Sequence, residues 1–267
     1  MGNALGDKAF DEKVAGNSLG HKLGSRWQFP EPAIMVAASP NGLLFTNQLK
    51  RDVMAVTAPL IEARLRDADR SQAAILLAAR DEFSSHGLAG ARMDRIAERA
   101  DVNKRLIYYY FSSKDDLFLA VLEGVYADIR AAEQALHLDE IEPVEAIRRL
   151  VSFTWRYYLD HPEFITLLNS ENLHCAAHLK RSERIQEMNS PLVQLLDTVL
   201  ERGRAEGLFR AGVDPIQLYI SIASLCYFYL SNNHTLSAIF GRDLRAPKAM
   251  AQRLSHMTDL VLGYVLR

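Results

Sequence analysis

The chain has 267 residues, 49% hydrophobic and 24% charged, a composition typical of a soluble globular protein with a sizeable core. Its formal net charge of −2 at pH 7 excludes a uniformly basic surface, so contact with nucleic acid would need a local patch. The apolar runs are too short for a membrane span or a signal-peptide core, and Cys175 and Cys226 are isolated. We therefore expect a reducing, cytoplasmic compartment and no membrane partner.

Residues 1–69 differ in composition from the rest of the chain. They hold six of the 14 glycines and four of the nine prolines, and they show no sustained apolar periodicity. We predict that they form a mostly disordered N-terminal extension, with a translation start at Met35 or Met54 as an alternative. The folded part of the chain is predicted to begin near Arg70.

Four helices are predicted after this extension. The apolar periodicity of the first ends at His86-Gly87, a typical helix stop, and a short second helix runs from about Arg92 to Ala100. Asn103 is a good N-cap for the third helix, and Ser113 forms a capping box with Asp116 at the start of the fourth. Because the second and third helices are so close in the sequence, a sharp turn must join them, which is the helix-turn-helix arrangement.

The third helix carries side chains that suit a DNA groove. On a helical wheel, one side is expected to anchor the helix and the other to be exposed. The anchoring side has Ile107, Tyr108 and Phe111, and the exposed side has Arg105, Leu106, Tyr109 and Tyr110. Arginine suits guanine, phenols and lysines suit phosphate, and an aliphatic group suits a thymine methyl. Between Arg92 and Lys114, six basic residues against three acidic ones give a local charge of +3. A solvated basic helix is the alternative.

A longer pattern of residues surrounds this helix. It consists of Ile75-Leu-Leu-Ala-Ala79, Phe83, Gly87, Ile96-Ala97, Ala100-Asp-Val102, Lys104, Ile107-Tyr108, Phe111, Ser113-Lys114 and Leu117. In order and spacing, this pattern resembles the DNA-binding domain of the TetR/AcrR family of transcriptional regulators. The resemblance implies an all-helical regulator that binds double-stranded DNA.

The resemblance also implies roles for individual residues. Those expected to contact DNA are Asn103, Lys104, Tyr109 and Tyr110, together with Lys114 at a phosphate and Tyr108, which would brace the core while its hydroxyl reaches a phosphate. The chain departs from the family pattern at two places. Arg105 and Leu106 stand where a small residue is common, which suggests Arg105 as a base reader. Arg92 stands where helix two often opens with a hydroxyl residue, and it could supply a charged phosphate contact instead.

The rest of the sequence predicts further helices. They begin at Pro143, run over about 163–175 and 181–206, start again at Asp214-Pro215, and end with one over about 247–266. The predicted fold is therefore all-α, with about nine helices. We assign residues 1–69 to the extension, 70–122 to the helix-turn-helix DNA-binding domain and 123–267 to a larger ligand-binding and dimerisation domain.

The helix after Asp214-Pro215 is so apolar between Leu218 and Leu230 that nearly all its sides must be covered. A homodimer through the last two helices, as the resemblance implies, would cover it. Two recognition helices about one DNA turn apart, roughly 34–36 Å, would then read a palindromic operator. A small-molecule effector of unknown identity is also implied.

Candidate ligand contacts in the larger domain are aromatic walls with a few polar groups. They are Trp155, Tyr158, Phe164, Leu168, Asn172, His174, Cys175, Leu196, Tyr219, Cys226 and Tyr227. Simple core packing explains every apolar member of this set equally well, so both interpretations stay open.

Neither a metal site nor a catalytic site is predicted. Glu171 and His174 have Glu-x-x-His spacing, but the second such pair that a bundle metal site needs is missing, and Cys175 and His178 lack partners at zinc-ligand spacing. No glycine-rich phosphate loop or nucleophile elbow is present, so we expect no cofactor and no enzyme. The prediction is a ligand-responsive regulator that acts as a repressor. The alternatives are a DNA-binding protein without a ligand, and a helical enzyme or binding protein with a vestigial helix-turn-helix.

Overall fold

The computed structural model describes the backbone of residues 47–267, and the side chains of residues 67–188 and 191–267. The chain divides into two units, Met1–Ala55 and Val56–Arg267. Every contact described below lies within the second unit.

Helices dominate the described part of the chain, which confirms the all-α prediction. The α-helices are α1 (Asn47–Gly90), α2 (Met93–Arg99), α3 (Lys104–Phe111), α4 (Lys114–Gln134), α5 (Pro143–Asp160), α6 (Pro162–Leu173), α7 (Glu183–Ala205), α8 (Pro215–Ser231), α9 (Asn233–Phe240) and α10 (Pro247–Val265). Two short 3-10 helices, Leu138–Glu140 and Leu179–Arg181, connect α4 to α5 and α6 to α7.

Helix α1 begins at Asn47, although we predicted a disordered extension as far as residue 69. That prediction is wrong for residues 47–69, which are helical, and residues 1–46 lie outside the described part of the chain. Alanine, leucine and arginine are frequent between residues 51 and 66, and these residues favour helix even without a clear apolar stripe. The predicted stop is confirmed, because Gly87 leaves the helical conformation with φ 67°, which glycine adopts without strain.

Helix α9 was not predicted. It follows α8 after a single residue, Asn232, and it spans only eight residues. Leu236, Ile239 and Phe240 have helical spacing, but a single such set is too short to be recognised as a separate helix. With α9 included, ten α-helices are described instead of the expected nine.

One hydrophobic core runs through the second unit, from Ile75 in α1 to Val265 in α10. Helix α4 crosses the predicted domain boundary at residue 122 and contributes buried residues on both sides of it, including Phe118 and Ile129. The Phe118 ring packs edge-on against Phe83 of α1, with 5.0 Å between ring centroids. The α4 helix therefore belongs to the cores of both domains.

The C-terminus is held by the segment after α7. Phe209 and Leu266 form an antiparallel β-bridge, and the buried Phe209 ring lies directly against the backbone of Gly203 in α7. A Cβ atom at position 203 would meet this ring at 2.1 Å, so only glycine fits there. Along the described residues, no helix combines the length and apolar character needed to cross a membrane.

Candidate functional site

The predicted helix-turn-helix is formed by α2 and α3. Between them, Asp101 adopts a left-handed conformation with φ 52°, which aspartate tolerates better than most residues. Asn103 caps α3 as predicted, because its side-chain oxygen accepts a hydrogen bond of 2.8 Å from the backbone N–H of Arg105. Ile107 and Phe111 are buried, so one side of α3 is anchored in the core.

The other side of α3 is open to solvent, but the tyrosines are arranged differently from the prediction. Tyr109 is 70% exposed, and Arg105 is also exposed. Tyr108, which we expected to brace the core, is 44% exposed. Tyr110, which we expected on the open side, is half-buried, and its hydroxyl donates to the backbone carbonyl of Ala68 in α1 at 3.3 Å. The helical-wheel assignment is therefore wrong for both Tyr108 and Tyr110, while Leu106 is half-buried.

The predicted phosphate-binding cations lie around this face. Arg92 is exposed at the N-cap of α2. Lys104 pairs with Asp94 at 2.7 Å, and this hydrogen bond raises the pKa of the lysine and lowers the pKa of the aspartate. Lys114, at the start of α4, lies 3.4 Å from the carbonyl of Ala89. These cations share one neighbourhood with the open side of α3.

A buried carboxylate, which sequence reasoning missed, holds α2 in place. Glu82 of α1 accepts from the backbone N–H of Arg92 at 2.9 Å and from Nε of Arg95 at 2.7 Å. Burial alone would raise the pKa of Glu82, but the hydrogen bonds from Arg95 and Arg92 lower it overall. The helix-turn-helix is thus tied to α1 by a charged group as well as by its core.

Polar contacts connect the start of α4 to the segment after α6. Buried Glu171 accepts from Nδ1 of His178 at 2.7 Å and from the backbone N–H groups of His178 and Leu179. Nε2 of His178 lies 3.6 Å from Asp115 in the first turn of α4, and its ring packs on Phe118. Since Asp115 follows Lys114 directly, this junction reaches the DNA-binding domain.

A second charged cluster is buried inside the larger domain. Arg130 and Glu133 of α4 are 5% and 1% exposed, and their Nη1 and Oε2 atoms lie 2.9 Å apart. Nη2 of Arg130 donates to the hydroxyl of Tyr219 from α8 at 2.6 Å. Burial raises the pKa of Glu133 to about 7, and the attraction of Arg130 offsets only part of this effect. We name these three residues the interior polar cluster.

Aromatic rings lie close to the interior polar cluster. Tyr158 of α5 stacks on Phe164 of α6 with an interplanar angle of 16°, and Tyr126, one turn before Arg130 on α4, packs edge-on against the same Phe164 ring. Burial raises the pKa of Tyr126 and Tyr158 above the ordinary value for tyrosine. The interior thus combines one cation with flat apolar walls.

The predicted ligand contacts fall into two groups. Those that are buried or half-buried are Trp155, Tyr158, Phe164, Leu168, Leu196, Tyr219, Cys226 and Tyr227. The other three, Asn172, His174 and Cys175, are exposed at the end of α6 and beyond it, so they do not line the interior. Their sequence looked apolar, but α6 ends at Leu173 and the chain there turns to the surface.

Sequence reasoning missed Arg130 and Glu133, although a signal was present. On α4, the buried positions Leu122, Val125 and Ile129 define an apolar stripe at helical spacing, and the two charged residues continue it. Charges on a buried stripe are rare unless they are paired or functional. Of the two residues with Glu-x-x-His spacing, Glu171 contacts His178 instead of His174, and the described residues include no group of three or more that could hold a metal ion.

Comparison with known proteins gives the family. Residues 75–121 match the model for bacterial regulatory proteins of the tetR family, and residues 143–261 match the tetracyclin repressor-like C-terminal domain. The chain is 45% identical over 199 residues to the HTH-type transcriptional repressor NicS of Pseudomonas putida, an alignment that covers 74% of this chain and 94% of NicS. The chain belongs to the TetR family. It is therefore a DNA-binding transcriptional regulator, as the pattern around α3 predicted.

Other members of the TetR family agree with this assignment. The HTH-type transcriptional repressor SCO4008 of Streptomyces coelicolor is 39% identical over 139 residues, which cover 52% of this chain and 69% of SCO4008. Among solved structures, the ketosteroid transcriptional regulator KstR2 of Mycobacterium tuberculosis superposes with a TM-score of 0.53 at 22% identity, covering 73% of this chain and 95% of that one. This structural likeness supports the TetR fold alone.

Proposed function

We propose that this TetR-family protein is a homodimeric repressor that binds a palindromic operator and is released from it by a small molecule. The observation that carries the proposal is the division of α3 into two sides. Ile107 and Phe111 anchor the helix, while Arg105, Tyr108 and Tyr109 extend into solvent. An arginine and two phenols on a rigid helix can read bases and bind phosphates.

Exposed apolar residues on the last long helices support the dimer. Ile216, Ile220 and Phe228 on α8 are each about half exposed, and so are Leu260 and Tyr264 on α10. On each helix, the exposed residues recur at multiples of four positions, so they form a stripe along one side. A stripe of this kind is a typical protein–protein interface, and a second copy of the same chain would bring a second α3 to the DNA.

Helix α4 provides a physical route between ligand and DNA. Its first turn holds Lys114 and contacts His178, and its last turns hold Arg130 and Glu133, which lie about 24 Å further along at 1.5 Å per residue. A ligand that favours one position of this rigid helix would change the spacing of the two α3 helices. The response is limited by the difference in ligand affinity between the two states.

Two of the relatives are named as repressors, which supports repression rather than activation of the target genes. We infer that the protein has no enzymatic role, because its interior polar cluster lacks a nucleophile with an adjacent base. The alternative is a helical enzyme or binding protein that has lost DNA binding.

A gel shift distinguishes these functions. Purified protein is mixed with the DNA upstream of its own gene, with and without excess unrelated competitor DNA at moderate salt. The proposal expects a shifted band that survives the competitor. A shift that disappears with the competitor, or no shift at all, would favour the alternative function.

A further inference from the structure

Arg130 is a buried cation whose hydrogen-bonding capacity is incompletely used. It is 5% exposed, and only Nη2 forms a hydrogen bond, to Tyr219. Its Nε and Nη1 groups are buried without a hydrogen-bond acceptor. Buried donors without acceptors are uncommon in native structures, and leaving a charged one unsatisfied costs more than leaving a neutral one unsatisfied.

Glu133 is a poor partner for this cation. It lies one turn further along the same helix, and although its Oε2 is 2.9 Å from Nη1, neither carboxylate oxygen forms a hydrogen bond of normal geometry. Burial also raises the pKa of Glu133 to about 7, so its negative charge is only partly present at neutral pH. The hydrogen-bonding capacity of Arg130 is therefore incompletely satisfied by the protein itself.

From this geometry we propose that Arg130 binds the carboxylate of a flat organic acid, which takes the place of Glu133 beside the guanidinium. The proposal rests on the proposed function and names the chemical class of its effector. A planar guanidinium matches a carboxylate in shape and charge, and the resulting charge-assisted hydrogen bonds are stronger than neutral ones. An aromatic or heteroaromatic body would suit the neighbouring rings of Tyr126, Tyr158 and Phe164.

In this structure, Arg130 and Glu133 of the interior polar cluster are closed off from solvent. Three surface hollows, each formed by a different part of the described chain, are lined by other residues, and Arg130 borders none of them. The acid must therefore displace Glu133, and the interior must open around it. Because Arg130, Glu133 and Tyr126 all lie on α4, this rearrangement would act on the helix that reaches Lys114.

The test uses the full chain and matched pairs of small molecules. Benzoate, the three hydroxybenzoates and the three pyridinecarboxylates are each compared with the corresponding primary amide in a thermal-unfolding assay. We expect at least one acid to raise Tm by about 5–10 °C at roughly 100 times its Kd, and its amide to raise Tm much less. If no acid raises Tm more than its amide, the proposal is overturned.

Variants then assign the effect to Arg130. In Arg130→Gln the shift produced by the acid should disappear, whereas Arg253→Gln should keep it. Arg253 is a suitable control because it is a half-buried arginine of the same domain that donates to the carbonyl of Leu225 and stacks on Tyr229. A shift that persists in Arg130→Gln would contradict the proposal.

Glu133→Gln covers the case in which Arg130→Gln does not fold. Removal of the internal carboxylate should make the acid bind at least as tightly as in the original chain, and weaker binding would overturn the proposal. Binding of the protein to operator DNA without any acid is measured separately. Retained DNA binding together with a failed acid screen would reject the anion site while leaving the proposed regulator intact.

Discussion

Arg105 is the residue of α3 best placed to select a DNA sequence, because it is exposed and makes no side-chain hydrogen bond or ion pair in the described structure. We predict that Arg105→Ala costs about 1–3 kcal/mol of binding to the operator and relaxes its sequence preference, as loss of a bidentate base contact does. Fluorescence anisotropy with matched and mismatched operators measures both effects. Lys114→Ala is the control, and it should weaken binding to all sequences equally and lower the salt slope by about one. An equal loss for both operators in Arg105→Ala would make Arg105 a phosphate contact.

Tyr109 and Tyr110 are adjacent but should respond differently to removal of the hydroxyl. Tyr110→Phe loses the hydrogen bond to Ala68 and should reduce the free energy of unfolding by about 0.5–1 kcal/mol with little effect on DNA affinity. Tyr109→Phe should leave stability unchanged and weaken DNA binding. Urea unfolding and anisotropy on both variants test this assignment. Weaker DNA binding with unchanged stability in both variants would restore the helical-wheel assignment, which put both tyrosines on the exposed side.

Glu133 should make stability depend on pH in an unusual direction. Because burial raises its pKa in the folded state to about 7 from an ordinary 4.5, the folded chain favours the protonated form. Stability is therefore lost as pH rises from about 4.5 to 7, and this loss is complete above pH 7. Relative to Glu133→Gln, the original chain should lose on the order of 2 kcal/mol over this range, as urea unfolding at pH 5, 6, 7 and 8 would measure. A constant difference between the two proteins would show that Glu133 is ionised throughout.

Among the elements, those with local end signals could be predicted from the sequence. Asn103, Ser113 and Asp214 each cap the helix that follows, and each accepts a hydrogen bond from a backbone N–H in the first turn. A cap is formed by residues within a few positions, so the sequence contains all of it. The position of Tyr110 depends instead on Ala68, 42 residues away, and no pattern within α3 could have shown that contact.

The connection between α6 and α7 is the element we expect to transmit the ligand signal. Cys175 and Ala176 are both in the left-handed region, with φ 55° and 57°, which non-glycine residues adopt at a cost. Glu171 and His178 hold this strained segment against α4. Strain of this kind persists only where the surrounding contacts enforce it, so release of one contact can change the position of the segment.

We predict that His178→Leu leaves operator affinity without effector within about threefold of the original. Effector should weaken operator binding less in this variant than in the original chain, because the contact with Asp115 is lost. His234→Leu is the matched control, since His234 is an exposed histidine on α9. Anisotropy titrations with and without effector compare the variants. An unchanged effector response in His178→Leu would remove this junction from the signalling route.

At the scale of the whole molecule, the exposed stripe on α8 and α10 should determine the oligomeric state. We predict that Ile220→Arg yields monomers, because it places a charge in the middle of the stripe, and weakens operator binding by about 100-fold or more through loss of the second half-site. Leu173→Arg is the control, since Leu173 is an apolar residue that is 83% exposed and lies on α6, which is not one of the two helices of the stripe. Light scattering coupled to size-exclusion chromatography reports the mass. A dimeric Ile220→Arg variant would place the interface elsewhere.

The fold of the whole chain could be predicted from the sequence more fully than the polar contacts inside the larger domain. Residues 75–121 carry a pattern strong enough to give the family, and the length of the remaining chain fits a TetR C-terminal domain. Tyr219 was predicted to lie in the interior, but its contact with Arg130 could not be predicted, because it joins α4 to α8 across 89 positions. Asn172, His174 and Cys175 were misplaced for the related reason that the end of α6 depends on how the chain packs beyond it.

The most direct test of the regulator is selection of DNA fragments from a random pool by the purified protein, followed by sequencing and footprinting. We predict enrichment of an inverted repeat whose half-sites are about one helical turn apart, and loss of footprint protection at bases within each half-site when Arg105 is replaced by alanine. Recovery of fragments with no common sequence would contradict it, because the exposed side of α3 would then bind DNA without reading it.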